Sequence, residues 1–515
     1  MMIDFASILP DRSSRLKYNS DDFLIGKNIN ANISYNDYLF FQSQICDVVN
    51  NIQTQKVPIA NSVDNLKNLL EFYKENAFED IIKYNIIPLI VFNLNVESMN
   101  CTFFIHFLLI FLKRLKQCDS LNLINMFVNQ ETIKFLCDFL KESINNQNYT
   151  CFSQKYALKS LLVILENHES SAIFFSDPKN ELLTTLIFLF KKYLIYTNGK
   201  SGHLRFNIHQ LNNQSIQALF KSSILITRCF SIFFSVTKEF NDIVASLLIE
   251  AAQSECFQVN NEAMSVLIKC SERYPTPFFN FFHKEKCEKI FITLLDPDII
   301  DDESTHVLSL NIIANITSRM NSENIIQFLI ETQIISNFSK LLKKESRFKI
   351  IVLPISLILI DIIHKSQIAL KGIFNSDPQI IQNILKYFSS DLRNKDKCAI
   401  LYLFASCVFS FDDAMCLKYL PFLIEIGLSN SIFTELIEVI DSTQSEKMVL
   451  CIIQCIIRML DYATYSNKKA YAFMIDSVQQ LLSIELLTDI SLISSDHQLW
   501  STKLIEMINN YRPEQ

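Results

Sequence analysis

Residues 289–342 read KIFITLLDPDIIDDESTHVLSLNIIANITSRMNSENIIQFLIETQIISNFSKLL, and their pattern decides the fold. KIFITLL is a short amphipathic run that ends at Leu295. In DPDIIDDES, Asp296 and Pro297 oppose its continuation, because proline lacks the N–H a helix interior needs. Ser304 is then expected to cap a new helix by accepting a backbone N–H. THVLSLNIIANIT sets Val307, Leu310 and Ala314 at helical spacing. RMNSEN breaks that helix, with Ser322 the expected next cap. IIQFLIE is another short helix, and TQIISNFSKLL starts the cycle again. The unit is helix, turn, longer helix, turn, short helix.

This order of segments resembles an armadillo repeat. In that family a short helix meets a glycine-containing corner, a helix beginning near IPxLVxLL follows, and after a polar turn comes a helix like AxxALxNIA. Leu294-Leu295 and Leu341-Leu342 match the paired leucines, and Leu310 to Ile316 matches the third helix, with Asn315 at the family asparagine. Glu331 to Ile335 matches the corner, with Gln333 where the family has glycine. The motif returns at residues 78–95, FEDIIKYNIIPLIVFNLN, where Pro88 matches the family proline and Asn85 replaces the glycine. Asparagine is the next residue most tolerant of a left-handed backbone, and Pro88 falls in the first helical turn, where a missing N–H costs little. Corners are expected near Ile87, Ile133, Leu183, Ile243, Glu288, Ile335, Ile381 and Leu423, with a usual gap of about 46 residues, which suits armadillo and HEAT units. Leu481 would mark a last, irregular unit. Ser62 is expected to cap a helix through Phe72, Pro275 and Pro277 to end one, and Pro354 to kink one.

The resemblance implies an all-α, right-handed armadillo/HEAT-like α-solenoid. Eight or nine units are expected over residues 37–510, with a loop insertion at 195–214, a flexible N-terminal arm at 1–36 and a tail at 511–515. One such unit cannot bury its own apolar face, so neighbours must stack to form a continuous core.

Composition agrees. Only 5 glycines and 11 prolines occur in 515 residues, too few for hairpin-rich sheets or glycine-rich nucleotide loops. The net charge of -7 argues against general nucleic-acid binding. The 14 cysteines are scattered without a CxxC pair, which suits small buried thiols in a reducing compartment and so an intracellular protein, cytoplasmic or nuclear. The N-terminus lacks a basic start followed by an apolar core and does not read as a secretory signal. The apolar tracts 101–112, 182–190 and 350–360 are too short to span a bilayer, so no membrane span is expected.

Chemistry-bearing motifs are weak. Gly199-Lys200-Ser201 ends like a phosphate loop, but Leu194 stands where the first glycine is required. His203 and His209 have no third ligand at good spacing. Cys451 and Cys455 share a helix face and read as core. Asp301-Asp302-Glu303 and Asp412-Asp413 suit helix starts, where acids complement the dipole. No catalytic residue, cofactor or metal is expected, and the chain does not read as an enzyme.

The candidate partner-binding residues are Asn311 and Asn315, one turn apart on one helix face, and Lys343, Lys344 and Arg347 in the densest basic run. In armadillo proteins that bind extended peptides, third-helix asparagines line a concave groove, which the resemblance carries onto Asn315. Val163 and Lys269 stand at that place in other units, and Trp500 is the single tryptophan, so an importin-like ladder is not repeated here. The expected function is a non-enzymatic scaffold holding a protein or extended peptide on the concave face of an armadillo-like superhelix, without a small-molecule substrate. The alternatives are a karyopherin or HEAT-type transport or assembly adaptor, or a regulatory subunit of an enzyme complex. If the register is right, Leu310→Asp buries a charge between repeats and costs more than about 4 kcal/mol; thermal unfolding checks this, and an unchanged Tm contradicts the register.

Overall fold

The structure, a computed structural model, describes residues 35–54, 58–72, 81–94, 100–117, 120–145, 151–168, 171–176, 181–197, 213–254, 256–343, 348–386, 388, 392–443 and 445–511. There is no strand among the described residues. They fall into two units, one up to Ile86 and one from Ile87 on.

In the first unit, helices Tyr35–Thr54 and Ile59–Phe72 pack on each other. Ile45, Val48 and Ile52 of the first and Val63, Leu66 and Leu70 of the second are buried. The second helix starts before Ser62, whose N–H already bonds to the Pro58 carbonyl at 3.4 Å. Ser62 is therefore a buried first-turn residue and not the cap that the sequence suggests. Of the expected N-terminal arm, residues 1–34 lie outside the described residues, and Tyr35 and Asn36 are already helical.

The second unit is a stack of repeats defined by nine third helices: Asn100–Gln117 (repeat I), Cys151–Asn167 (II), Asn213–Val236 (III), Phe257–Arg273 (IV), Glu303–Thr317 (V), Phe348–Lys365 (VI), Asn394–Ser410 (VII), Glu446–Ser466 (VIII) and Ser495–Asn510 (IX). Each packs on the next in chain order. The apolar faces that a single unit cannot cover thus meet between neighbours. Leu310, Ile358, Phe404 and Ile456, from four successive third helices, are fully buried. Aromatic side chains fill the earlier repeats: Phe104 meets Phe135 edge-on with ring centroids 5.5 Å apart, and Phe190 meets Phe230 at 5.4 Å.

Second helices begin at Ile86, Gln130, Leu182, Asp242, Glu288, Ile334, Ile380, Ile432 and Ile484. Ile87, Leu183, Ile243, Ile335 and Ile381 are each the second residue of such a helix. The corner placed at Leu423 is wrong: helix Asp413–Ser429 runs through it, and the corner lies at Ser431, with φ 57°. The paired-apolar signal at Leu423-Ile424 belongs to a long first helix that carries Pro421 internally.

The positive-φ residues explain how so few glycines suffice. Asn85 (φ 49°), Glu181 (49°), Lys286 (52°), Gln333 (51°) and Ser431 (57°) are left-handed, and each precedes a second helix at the turn from the first. Asn85 and Gln333 stand where the family has glycine, and both take the conformation that glycine would supply.

Two caps shift by a residue or two. Asp302, not Ser304, caps the third helix of repeat V, accepting the Thr305 N–H at 2.7 Å. Asn321, not Ser322, caps the following helix, accepting the Asn324 N–H at 2.8 Å. Asp412 caps its helix as the acidic start suggests, accepting the Met415 N–H at 2.9 Å. Pro275 occupies the first turn of helix Pro275–Lys284, so it starts one helix where another ends. Helix Phe348–Lys365 continues through Pro354. Of the 195–214 insertion, residues 198–212 lie outside the described residues, and its flanks are helical. So do Gly199-Lys200-Ser201, His203 and His209.

Two helices that the short-tract test passes over are long and apolar enough to cross a membrane, Gln214–Val236 and Glu446–Ser466. Both are third helices packed between two others, with 50% and 67% of the apolar window buried inside the protein. That is the pattern of a solenoid core.

A left-handed backbone costs a residue with a Cβ about 1–2 kcal/mol, partly offset by glycine's greater unfolded-state entropy. Gln333→Gly is therefore expected to raise stability by up to about 1 kcal/mol, and Gln333→Val to lower it. Urea denaturation midpoints check the pair; equal midpoints would show that the corner bears no strain.

Candidate functional site

The third helices do more than bury apolar side chains. Along their edge, polar side chains reach from one repeat to the next at separations close to the repeat length. The Asn315 amide of repeat V donates to Ser271 Oγ of repeat IV at 2.7 Å. Lys269 Nζ donates to Ser231 Oγ of repeat III at 3.2 Å. Lys365 Nζ of repeat VI donates to the Thr317 carbonyl of repeat V at 2.6 Å. His364 Nε2 lies 2.8 Å from Ser406 Oγ of repeat VII, which lies 3.7 Å from Cys451 Sγ of repeat VIII. The Arg458 guanidinium donates to the Val408 carbonyl at 3.2 Å and also meets the Phe411 carbonyl. Lys503 of repeat IX pairs with Asp461 of repeat VIII at 2.7 Å. The seam thus runs from repeat III to repeat IX.

The seam satisfies polar groups where the stack meets water, since an unpartnered donor or acceptor at a packed helix edge costs about 1–3 kcal/mol. It also fixes the register of each repeat on the next. The edge is not uniform, however. In repeat VII every residue from 399 to 408 is buried, Tyr402 included. There His364 from one side and Cys451 from the other converge on Ser406, and the His364 ring meets Tyr402 edge-on at 5.4 Å.

The sequence candidates take different places. Asn311 is half-exposed on the third helix of repeat V, and Asn315 lies one turn on, tied to Ser271. Asn315 therefore links repeats with its amide. Lys343 is exposed just after the second helix of repeat VI, on a different element from the two asparagines. Lys344 and Arg347 lie outside the described residues. Val163 is half-exposed, and Lys269 takes part in the seam. The equivalent third-helix position thus carries different chemistry from repeat to repeat.

The seam residues Ser271, His364, Tyr402, Ser406 and Arg458 did not stand out in the sequence. Their signal is period: Ser271 and Asn315 are 44 apart, His364 and Ser406 42, Ser406 and Cys451 45. Polar residues recurring on third helices at the repeat length would have found them.

Eight of the thirteen described cysteines are buried in the core, and the other five are half-buried. Burial pushes the thiols of Cys137, Cys287 and Cys451 up to about 12, which keeps them protonated and unreactive. No disulfide forms and no group of metal-ligating side chains assembles among the described residues. Cys451 and Cys455 are both buried.

Asp361, on the third helix of repeat VI, is a buried titratable group. It is 8% exposed, and burial raises its carboxyl from 3.8 to about 6, with Lys365 one turn away opposing that shift. Because the folded pKa lies above the unfolded one, the folded chain holds this proton more tightly. Its contribution is then fully present below about pH 4 and is lost as pH rises through about 6. Asp361→Asn, which cannot ionise, is expected to raise stability at pH 7 by about 3 kcal/mol and to change it little below pH 4. Urea melts of both chains at the two pH values check this; a destabilised variant at pH 7 would mean that the carboxylate's pairing with Lys365 outweighs its burial.

No family model matches the chain, and no curated protein sequence matches it. Solved structures do. An engineered protein is similar with a TM-score of 0.54 and 14% identity, over 90% of this chain and 100% of its own. SYS-1 gives 0.46 and 12%, over 95% of this chain and 94% of its own. A designed armadillo repeat protein gives 0.36 and 15%, over 52% of this chain and 100% of its own. At such identities a likeness speaks to fold alone. The stacked three-helix repeats and their left-handed corners, with the engineered protein's likeness over 90% of this chain, make the fold an all-α, armadillo-like helical-repeat solenoid.

Proposed function

We propose that this chain is a non-enzymatic scaffold that holds a partner protein, or an extended segment of one, along the edge of its third helices. The observation that carries the reading is the unbroken stack of nine third helices. Stacking of this kind sets equivalent positions at regular steps, since packed helices lie about 8–10 Å apart. A repeating row of side chains suits a long ligand better than a compact one. The row varies in chemistry, from Val163 through Lys269 to Asn315, so it can specify a sequence where a uniform ladder would accept any backbone. Asn311, half-exposed and one turn from the Asn315–Ser271 link, is the contact residue we assign in repeat V. Lys343, just after a second helix, supplies a second, basic contact, and the basic run it begins in the sequence includes Lys344 and Arg347. The proposed setting is intracellular.

A photo-crosslinking residue placed at position 311 tests this in native cells. Covalent adducts to a partner polypeptide are expected at 311 and not at position 368, an exposed apolar site on a first helix of repeat VII. Adducts at 368 alone, or at neither position, would overturn the proposal.

A further inference from the structure

The first helix of repeat VIII, Asp413–Ser429, is longer than its counterparts. It has 17 residues, where the first helices of repeats VI and VII have 11 and 10. Ala414, Leu417, Lys418, Pro421, Phe422 and Glu425 are exposed on it, and at this spacing they form one stripe along the helix. The middle of the stripe is apolar: Leu417 is 73% exposed and Phe422 37%, with exposed Pro421 between them. Other first helices expose single large apolar side chains, such as Ile330 and Phe473, which is ordinary for a surface. Here three adjoin.

Two charges of opposite sign bracket this apolar centre. Lys418 and Glu425 lie about two turns apart, about 10 Å along the axis, so they do not pair within the helix. The positions three and four residues from each are uncharged, which removes the usual in-helix partners. Among the described residues the Glu425 carboxylate has no hydrogen-bond or ion-pair partner, and no carboxylate pairs with Lys418. Lys418 Nζ instead lies 4.8 Å from the ring centroid of its neighbour Tyr419.

We infer that this stripe pairs with itself: two copies of the chain associate through their Asp413–Ser429 helices, antiparallel, about a two-fold axis that passes between Pro421 and Phe422. A two-fold interface must be complementary to its own reverse, and this sequence is. Lys418 faces the second copy's Glu425, and Glu425 faces the second copy's Lys418. Pro421 meets the second copy's Phe422, and Leu417 meets the second copy's Ile426, which is half-exposed on the free helix. Other arrangements lose this match. A parallel pair sets like charges against each other, and sliding the antiparallel pair by one turn either way crowds two Lys418 or two Glu425 side chains at the axis. A helix of this length is about 25 Å long and about 10 Å wide, so two of them bury less than the about 1,200 Å² of a standard interface. The pairing is therefore reversible and depends on concentration. It uses a first helix, apart from the third-helix edge, and does not rest on the scaffold reading.

Sedimentation velocity of the full chain over a concentration series tests this. The natural chain is expected to pass from monomer to dimer as concentration rises. Lys418→Glu and Glu425→Lys are each expected to weaken dimerisation by about tenfold or more, since either one replaces two attractions by two repulsions. An equimolar mixture of the two variants sets acids against bases again and is expected to dimerise as the natural chain does. Carbodiimide crosslinking of mixed light and isotopically heavy natural chains needs no variant, so it decides even where a variant fails to fold by circular dichroism. A Lys418–Glu425 crosslink that joins a light peptide to a heavy one is expected. A natural chain that stays monomeric throughout, a folded charge variant that dimerises as the natural chain does, a mixture that stays monomeric, or a Lys418–Glu425 crosslink found only within one chain would each overturn the inference. So would a different polypeptide captured in place of a second copy by a photo-crosslinking residue at position 417.

Discussion

Everything in the second unit depends on one contact repeated along the chain: a third helix burying its apolar face against the third helix of the next repeat. Leu310 shows what that contact does. It has no exposed surface, yet no single repeat could cover it, because a unit of three short helices has too little interior of its own. Burying a leucine side chain contributes about 1.5–3 kcal/mol, and that gain is available only when the neighbour is in place. Stability is therefore a property of adjacency. The same constraint explains why helices as apolar as Gln214–Val236 and Glu446–Ser466 belong in this fold, since each has neighbours on two sides.

The corners are the second constraint, and they follow from the first. For third helices to stack, the first and second helices of each repeat must turn sharply enough to bring the chain back. A left-handed residue achieves this in one step. Five of these corners use Asn85, Glu181, Lys286, Gln333 and Ser431, each of which carries a Cβ. The strain at each is small beside the burial that the corner makes possible, so the fold retains its geometry without glycine.

This difference decides what could be read from the sequence. The repeat was legible because apolar spacing and breakers are local: residues 289–342 contain the whole cycle, and Asn85 and Gln333 mark corners by substitution for glycine. The Leu423 corner was misplaced because a long first helix carries the same paired apolar residues, and Ser431 gives no compositional sign of a left-handed turn. Caps slipped by a residue or two because Asp302 and Asn321 lie beside the equally competent Ser304 and Ser322. The seam was illegible for another reason. Ser271 and Asn315 are each ordinary polar residues on amphipathic helices, and only their separation by a repeat length makes them partners. Asn315 stands out by its place in the repeat, but the sequence cannot tell a side chain that faces a ligand from one that binds the neighbouring helix, as Asn315 binds Ser271.

The seam also limits where a ligand can be held. Where third-helix side chains bond to one another, as in repeats VI to VIII, their polar groups are already satisfied and the edge is closed by the buried run 399–408. A ligand there would have to displace a protein contact of equal quality. The pairing also reaches the earlier repeats, where Arg228 of repeat III meets Glu262 of repeat IV at 3.1 Å. The packing that makes the fold is thus accompanied, repeat by repeat, by polar contacts that hold each third helix in register with the next, and a ligand along that edge competes with them wherever they are made.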